Sequence, residues 1–270
     1  STRKESSAAS DVYKRQVKMN DDPVGPYKQR KCKFNSPFRH FLGDGLNPEQ
    51  AEALEAFKNH SVTLVQGPPG TGKSQLVKEI MRGLLSHGNL NVMVAAPTNS
   101  TANELAKHGR QFVMDSEFVR LGGSENGKID ESLRDRMFAK VAPSARSKKR
   151  RTWAEDNFRY MKLVAGTFVV FGNESFSNVE PCMDVYIVDE AAQGFEVETM
   201  IVLNWLKRGG RVLFVGDFAQ LPPTSDSHYV QFSQIGVSLM ERLSYRPGFL
   251  LSLIHISEPT RPLYISYAVF

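Results

Sequence analysis

The chain has 270 residues, of which 41% are apolar and 23% charged, and its formal net charge is +5. This suits one large or two small globular domains with a sizeable core. No apolar run approaches the ~18 residues that span a membrane, and the N-terminus lacks a charged-then-apolar signal pattern, so an intracellular protein, cytoplasmic or nuclear, is the default expectation. Cys32 and Cys182 are far apart and form no C-x-x-C pattern, which favours reduced thiols over a disulfide.

The charge is uneven. Residues 1–40 hold ten Lys/Arg and four Asp/Glu, whereas the rest hold 24 and 25. The positive excess therefore belongs to an N-terminal segment, and it is weak evidence for nucleic-acid binding by the domain. Residues 6–16 and 251–262 resemble translated library adapter sequence and are set aside from fold reasoning; taken as native, they are irregular termini. The expected organisation is a basic segment over 1–36, its first 16 residues non-native, then one domain over 37–250 and a non-native tail over 251–270.

In chain order, Asn47-Pro48-Glu49-Gln50 opens a helix: Asn47 is a good N-cap and Pro48 fits the first helical position. Residues 62–66 read as a short buried strand, followed by a loop and a helix from 73 to about 86. Residues 91–96 predict a strand, 100–109 a helix, and 118–121 a short, mostly apolar strand. Residues 122–162 break this alternation. They are polar and helical in pattern, and they read as an insertion whose basic cluster is Arg146, Lys148, Lys149, Arg150 and Arg151. Strands are expected at 163–171, 185–188 and 211–215, with helices at 196–206 and from 238. Alternating strands and helices, with mostly apolar strands, predict an α/β fold: a parallel sheet covered by helices on both faces.

The organising stretch is Gly67-Pro68-Pro69-Gly70-Thr71-Gly72-Lys73-Ser74, which satisfies G-x-x-x-x-G-K-[ST] between a predicted strand and a predicted helix. Its glycines let backbone N–H groups turn inward, and the helix N-terminus adds a positive dipole end, so the loop is an anion nest for nucleotide phosphates. Lys73 is expected to reach the β- and γ-phosphates and Ser74 to ligate Mg²⁺. Asp189-Glu190 follows the predicted strand at 185–188. Asp189 is expected to hold Mg²⁺, and Glu190 to orient and deprotonate the attacking water. Taken alone, the pair would read as a solvated Asp-Glu at a helix start. Gln220, in Gly216-Asp217-Phe218-Ala219-Gln220-Leu221-Pro222-Pro223, can point an amide at the γ-phosphate, and Gln50 has the donor–acceptor pair that matches an adenine edge.

These motifs together resemble the first RecA-like domain of a superfamily 1 helicase, in the branch that includes senataxin and the nonsense-mediated-decay helicase. Leu46 to Gln50 resembles the Q motif, and Gly67 to Ser74 motif I. Ala96-Pro97-Thr98-Asn99-Ser100 resembles motif Ia, Ala165-Gly166-Thr167 motif Ic, Asp189 to Gln193 motif II and Gly216 to Pro223 motif III. The resemblance implies a RecA-like phosphate-loop NTPase that uses ATP and Mg²⁺ to move on single-stranded RNA or DNA. It also implies that Pro97, Thr98, Asn99 and Thr167 contact strand phosphates; Thr98 and Asn99 equally suit a helix cap. The insertion occupies the position of a small helical subdomain of the family. A second RecA-like domain, the family's source of arginines for the γ-phosphoryl, is not among these residues. The chain by itself is therefore expected to bind nucleotide, to hydrolyse it poorly and not to unwind. The competing expectation is a nucleotide-binding scaffold module without motor activity.

Overall fold

The computed structural model describes residues 45–86, 90–122, 130–142, 147–224 and 236–245. The N-terminal basic segment, both adapter-like stretches, Cys32 and Arg146 lie outside them.

Helix α1 (Pro48–Asn59) begins as expected, with a capping box. Asn47 Oδ1 accepts from the Gln50 N–H at 2.8 Å, and Gln50 Oε1 accepts from the Asn47 N–H at 3.0 Å. The remaining elements are β1 (Val62–Gln66), α2 (Lys73–Ser86), β2 (Val92–Ala96), α3 (Asn99–Arg110), β3 (Phe118–Arg120), α4 (Phe138–Val141) and α5 (Ser147–Asn157). They continue with β4 (Leu163–Thr167), β5 (Met183–Val188), α6 (Glu196–Leu203), β6 (Leu206–Gly216) and α7 (Leu239–Ser244).

The strands form one six-stranded sheet in the order β1-β6-β5-β2-β4-β3, and every pairing is parallel. Parallel strands need crossovers, and the helices that supply them cover both faces. One face carries Val65, Val94, Ile187 and Leu213, packed against Phe57, Leu76, Ile80 and Leu105 of α1, α2 and α3. The other carries Met93, Tyr186 and Phe214 against an aromatic cluster that includes Phe138, Phe158, Phe176 and Trp205. The predicted α/β architecture is the observed one.

The described residues between 122 and 162 are helical and packed onto the sheet. Leu133 joins the first core, and Phe138, Ala154 and Phe158 join the second. Arg110 at the end of α3 ties them down through Asp135 at 2.8 Å, and it also pairs with Asp115, ahead of β3, at 3.0 Å.

Two strands differ from expectation. β4 stops at Thr167, and residues 168–172 turn into a 3₁₀ helix. That turn brings Phe168 and Phe171, three apart, onto one side and into the core, while Val169 stays 63% exposed. β6 starts earlier than its apolar run, at Leu206. Its polar first half is held by Lys207 pairing with Asp184 at 2.9 Å, and Gly209 sits at φ +86° beside a register shift.

Candidate nucleotide and nucleic-acid site

Four candidate segments leave the sheet at its C-terminal edge, the usual ligand edge of a parallel sheet. The phosphate loop follows β1, Pro97 to Asn99 follow β2, Asp189-Glu190 follow β5, and Asp217 to Gln220 follow β6. Thr167 ends β4 opposite Ala96, so the stretches matching motifs Ia and Ic are neighbours.

The phosphate loop turns on Gly70 and Gly72, both at φ +82°, a region that side-chain-bearing residues rarely adopt. Gly67 N donates to Gly216 O at 3.2 Å and joins the loop to the end of β6. Lys73 folds back over the loop: its Nζ donates to Gly67 O at 2.5 Å and Pro68 O at 3.0 Å. Thr71 Oγ1 donates to Pro68 O at 2.9 Å. Ser74 is exposed on the first turn of α2.

Gln50 is buried against this loop, and its Nε2 donates to Gly72 O at 3.0 Å. Its oxygen is engaged by the Asn47 N–H, so in this structure its amide ties α1 to the phosphate loop. One N–H and one lone pair remain for a base edge.

Asp189 is 7% exposed. Burial pushes its carboxyl up to about 6; the Glu190 N–H and Lys73 pull downward, and the charges of Glu190 and Glu104 push upward. Glu190 sits at φ 51°, the sole non-glycine residue with positive φ among the described residues. Strain of this kind, worth on the order of 1–3 kcal/mol, persists where the surroundings impose it. Here the Glu190 N–H donates to Asp189 Oδ1 at 2.9 Å, and Gln193 Nε2 donates to Glu190 Oε2 at 3.1 Å. The two carboxylates are thus fixed in different settings, one buried and one oriented by an amide.

Gln220 is exposed, and its Nε2 donates to Asp217 Oδ2 at 2.5 Å. Gly216 is needed for close approach: a β-carbon there would come within 3.1 Å of the Ala191 and Ala192 backbone nitrogens.

The residues present fit Mg²⁺ carried in with a nucleotide. Among the described residues, no three His, Cys, Asp or Glu side chains cluster to hold a metal by themselves. The buried Asp189 carboxyl, with its pKa raised chiefly by burial, and the exposed Ser74 hydroxyl are oxygen donors of the kind Mg²⁺ takes together with phosphate oxygens and water.

On the strand side, Thr98 caps α3, its Oγ1 accepting from the Thr101 N–H at 3.2 Å. Asn99 is half-buried and its Oδ1 accepts from Arg120 Nη2 at 3.0 Å. Arg150 and Arg151 are half-buried on α5, and Arg150 Nη2 donates to Ala139 O at 3.4 Å, while Lys149 is exposed. Sequence reasoning missed Gln66, Asn103 and Arg120, and it gave Asp217 no role. All four are buried polar residues: Gln66 and Arg120 end strands, Asp217 directly follows β6, and Asn103 lies on α3. A polar residue closing an otherwise apolar strand was the available signal.

A family model described as AAA domain matches residues 45–235. The chain belongs to this AAA domain family. Such a domain, with its phosphate loop intact, binds nucleotide. The chain also has distant superfamily 1 helicase relatives over this one RecA-like region. It is 28% identical over 251 residues to the DNA-binding protein SMUBP-2 of Rattus norvegicus, covering 77% of this chain and 25% of the relative. It is 29% identical over 205 residues to the DNA replication ATP-dependent helicase/nuclease DNA2 of Saccharomyces cerevisiae, covering 76% of this chain and 12% of the relative. The UvsW helicase from bacteriophage T4 aligns with 64% of this chain and 53% of its own, at 15% identity and a TM-score of 0.41. The chain thus spans a quarter or less of these two relatives. No described helix is long and apolar enough to cross a membrane.

Proposed function

We propose that this chain is the ATP-binding RecA-like half of a helicase or translocase that moves on single-stranded RNA or DNA, of the senataxin-like branch of superfamily 1. The observation that carries the reading is the convergence of three segments at one sheet edge. They are the phosphate loop with Lys73, the Asp189-Glu190 pair with its strained Glu190, and Gln220 tethered to Asp217. The helicase relatives support it.

In this reading the nest of residues 67–72 receives the ATP phosphates, and Lys73 exchanges the Gly67 and Pro68 carbonyls for β- and γ-phosphate oxygens. Ser74 and Asp189 would hold Mg²⁺, which supplies charge neutralisation at the phosphates when bound. Glu190, oriented by Gln193, takes the proton of the attacking water. Gln220 reaches the γ-phosphate, and Gln50 faces the adenine. Pro97, Thr98, Asn99 and Thr167 hold strand phosphates without reading bases. A second RecA-like domain supplies the arginines for turnover, worth about 10³–10⁵ in rate in related phosphoryl-transfer enzymes.

The test is a pair of titrations on the purified chain, one with a fluorescent ATP analogue and Mg²⁺ and one with labelled single-stranded RNA and DNA. Mg²⁺-dependent nucleotide binding, strand binding that weakens with salt, and slow hydrolysis are expected. Nucleotide binding with no affinity for either strand would leave only a nucleotide-binding module. Robust unwinding by this chain alone would overturn the assigned need for a second domain.

A further inference from the structure

Arg120, the last residue of β3, is completely buried. Burial lowers its guanidinium pKa to about 10, so it remains a cation at neutral pH. No carboxylate pairs with it among the described residues; its partners are neutral oxygens. Nε donates to Asn103 Oδ1 at 3.0 Å and Nη2 to Asn99 Oδ1 at 3.0 Å. Nη1 donates to the Leu121 carbonyl and, at 3.5 Å, to the Ala165 carbonyl. A buried charge without a counter-ion is costly, and core packing alone is met as well by an apolar residue of similar volume.

The partners say where that charge acts. Asn99 and Asn103 are one turn apart on α3 and turn the same face to the guanidinium. A guanidinium only donates, so the Asn99 amide must point its oxygen inward and its NH₂ group away from Arg120. Ala165 pairs with Arg120 across β3 and β4, two residues before Thr167, and Thr167 in turn lies opposite Ala96. One buried cation therefore ties together both segments that carry the candidate strand contacts. It also lies beneath the first turn of α3, where the helix dipole is positive.

We propose that Arg120 is a positioning residue for strand binding: it fixes the Asn99 amide with its NH₂ group outward and lends its charge to a nucleic-acid backbone phosphate seated at the first turn of α3. The inference rests on the reading of residues 97–99 and 167 as strand contacts. It extends that reading by assigning the phosphate a buried counter-charge that never touches it.

The experiment measures binding of labelled oligo(dT) and oligo(U) by anisotropy, with Mg²⁺-dependent binding of a fluorescent ATP analogue and the melting temperature measured on the same samples. Arg120→Lys keeps the charge but loses the fork that holds two amides. It is expected to weaken strand binding by roughly tenfold or more while nucleotide affinity stays within twofold of the wild type. Asn99→Ala is expected to cost about as much, and the double variant no more than either, because one contact is being removed by two routes. Asn99→Asp decides the matter should Arg120→Lys fail to fold. It gives the buried guanidinium a carboxylate, so the melting temperature holds or rises, while the outward donor is lost and strand binding falls. Additive losses in the double variant, or strand binding by Asn99→Asp equal to the wild type, would overturn the positioning role and leave the functional reading intact. Failure of the wild-type chain to bind either oligonucleotide would overturn that reading and this inference with it.

Discussion

Gln66 and Asp217, 151 positions apart in the chain, meet through a 2.5 Å hydrogen bond from Gln66 Nε2 to Asp217 Oδ1. Gln66 is the last residue of β1 before the phosphate loop, and Asp217 is the first after β6. The contact is reinforced by Phe218 N donating to Gln66 Oε1 at 3.3 Å and Gly67 N donating to Gly216 O at 3.2 Å. Asp217 Oδ2 also holds Gln220. The phosphate loop and the Gln220 loop are thereby one hydrogen-bonded unit, in which Gln66 and Gln220 share a single carboxylate.

Asp217→Ala and Gln220→Ala should separate structure from sensing. Removing Asp217 leaves the buried Gln66 amide without its acceptor, a loss of about 1–3 kcal/mol, read as a lower denaturation midpoint. Gln220 is exposed, so its removal should leave the midpoint within about 0.5 kcal/mol and slow only hydrolysis. Equal destabilisation by the two changes would contradict the linkage.

Lys73 spends its ammonium on two loop carbonyls in this structure. It is half-buried, so Lys73→Ala should cost roughly 1 kcal/mol or less of stability. Binding of an ATP analogue should fall by about a hundredfold or more, since each charge-assisted phosphate contact is worth roughly 1.5–3 kcal/mol. Calorimetric titration together with a melting curve checks both, and unchanged ATP affinity would remove Lys73 from the site.

The parallel sheet and the phosphate loop were legible because each has a local signature. The strands are short apolar runs, and the loop is a fixed spacing of Gly, Lys and Ser. The N-cap of α1 was legible for the same reason, since Asn47 directly precedes Pro48 at the first helical position, whereas the part Gln50 plays in the capping box was not read. What stayed hidden depends on distant partners. Nothing near Arg120 in the chain announces that Asn99, Asn103 and Ala165 close around it, and nothing near Gln66 announces Asp217. The end of β4 was misjudged because Val169, Val170 and Phe171 have strand propensity, whereas burial of both Phe168 and Phe171 selects the tighter turn.

Glu190 carries its carboxylate on a left-handed backbone. Glu190→Gly relieves that conformation and should raise the denaturation midpoint by an amount on the order of 1 kcal/mol. Glu190→Gln keeps the strain, the side-chain shape and the Gln193 contact but cannot accept the proton. Both variants should bind nucleotide normally, and turnover should fall by roughly 10²–10⁴. A Glu190→Gln variant that still hydrolyses ATP at the wild-type rate would exclude Glu190 as the base.

Asp189 gives a pH dependence of unusual sign. Its folded pKa of about 6 lies above the ordinary carboxylate value, chiefly through burial. The folded state therefore holds a proton that the unfolded chain releases. The contribution of this group to stability falls as pH rises from about 4 to about 6, and the full penalty, on the order of 1–3 kcal/mol, persists above that range. Asp189→Asn removes the penalty: it should be more stable than the parent at pH 7.5 and nearly equal to it at pH 4. If Asp189 holds Mg²⁺ as proposed, the ion would offset the cost of the buried charge, so Mg²⁺ with a nucleotide should stabilise the parent more at pH 7.5 than at pH 5, and the Asn variant by less at both. Melting curves at three pH values, with and without Mg²⁺ and a non-hydrolysable ATP analogue, measure all of these differences. A parent and variant that lose stability in parallel across this window would show that the Asp189 carboxyl is not the group that senses it.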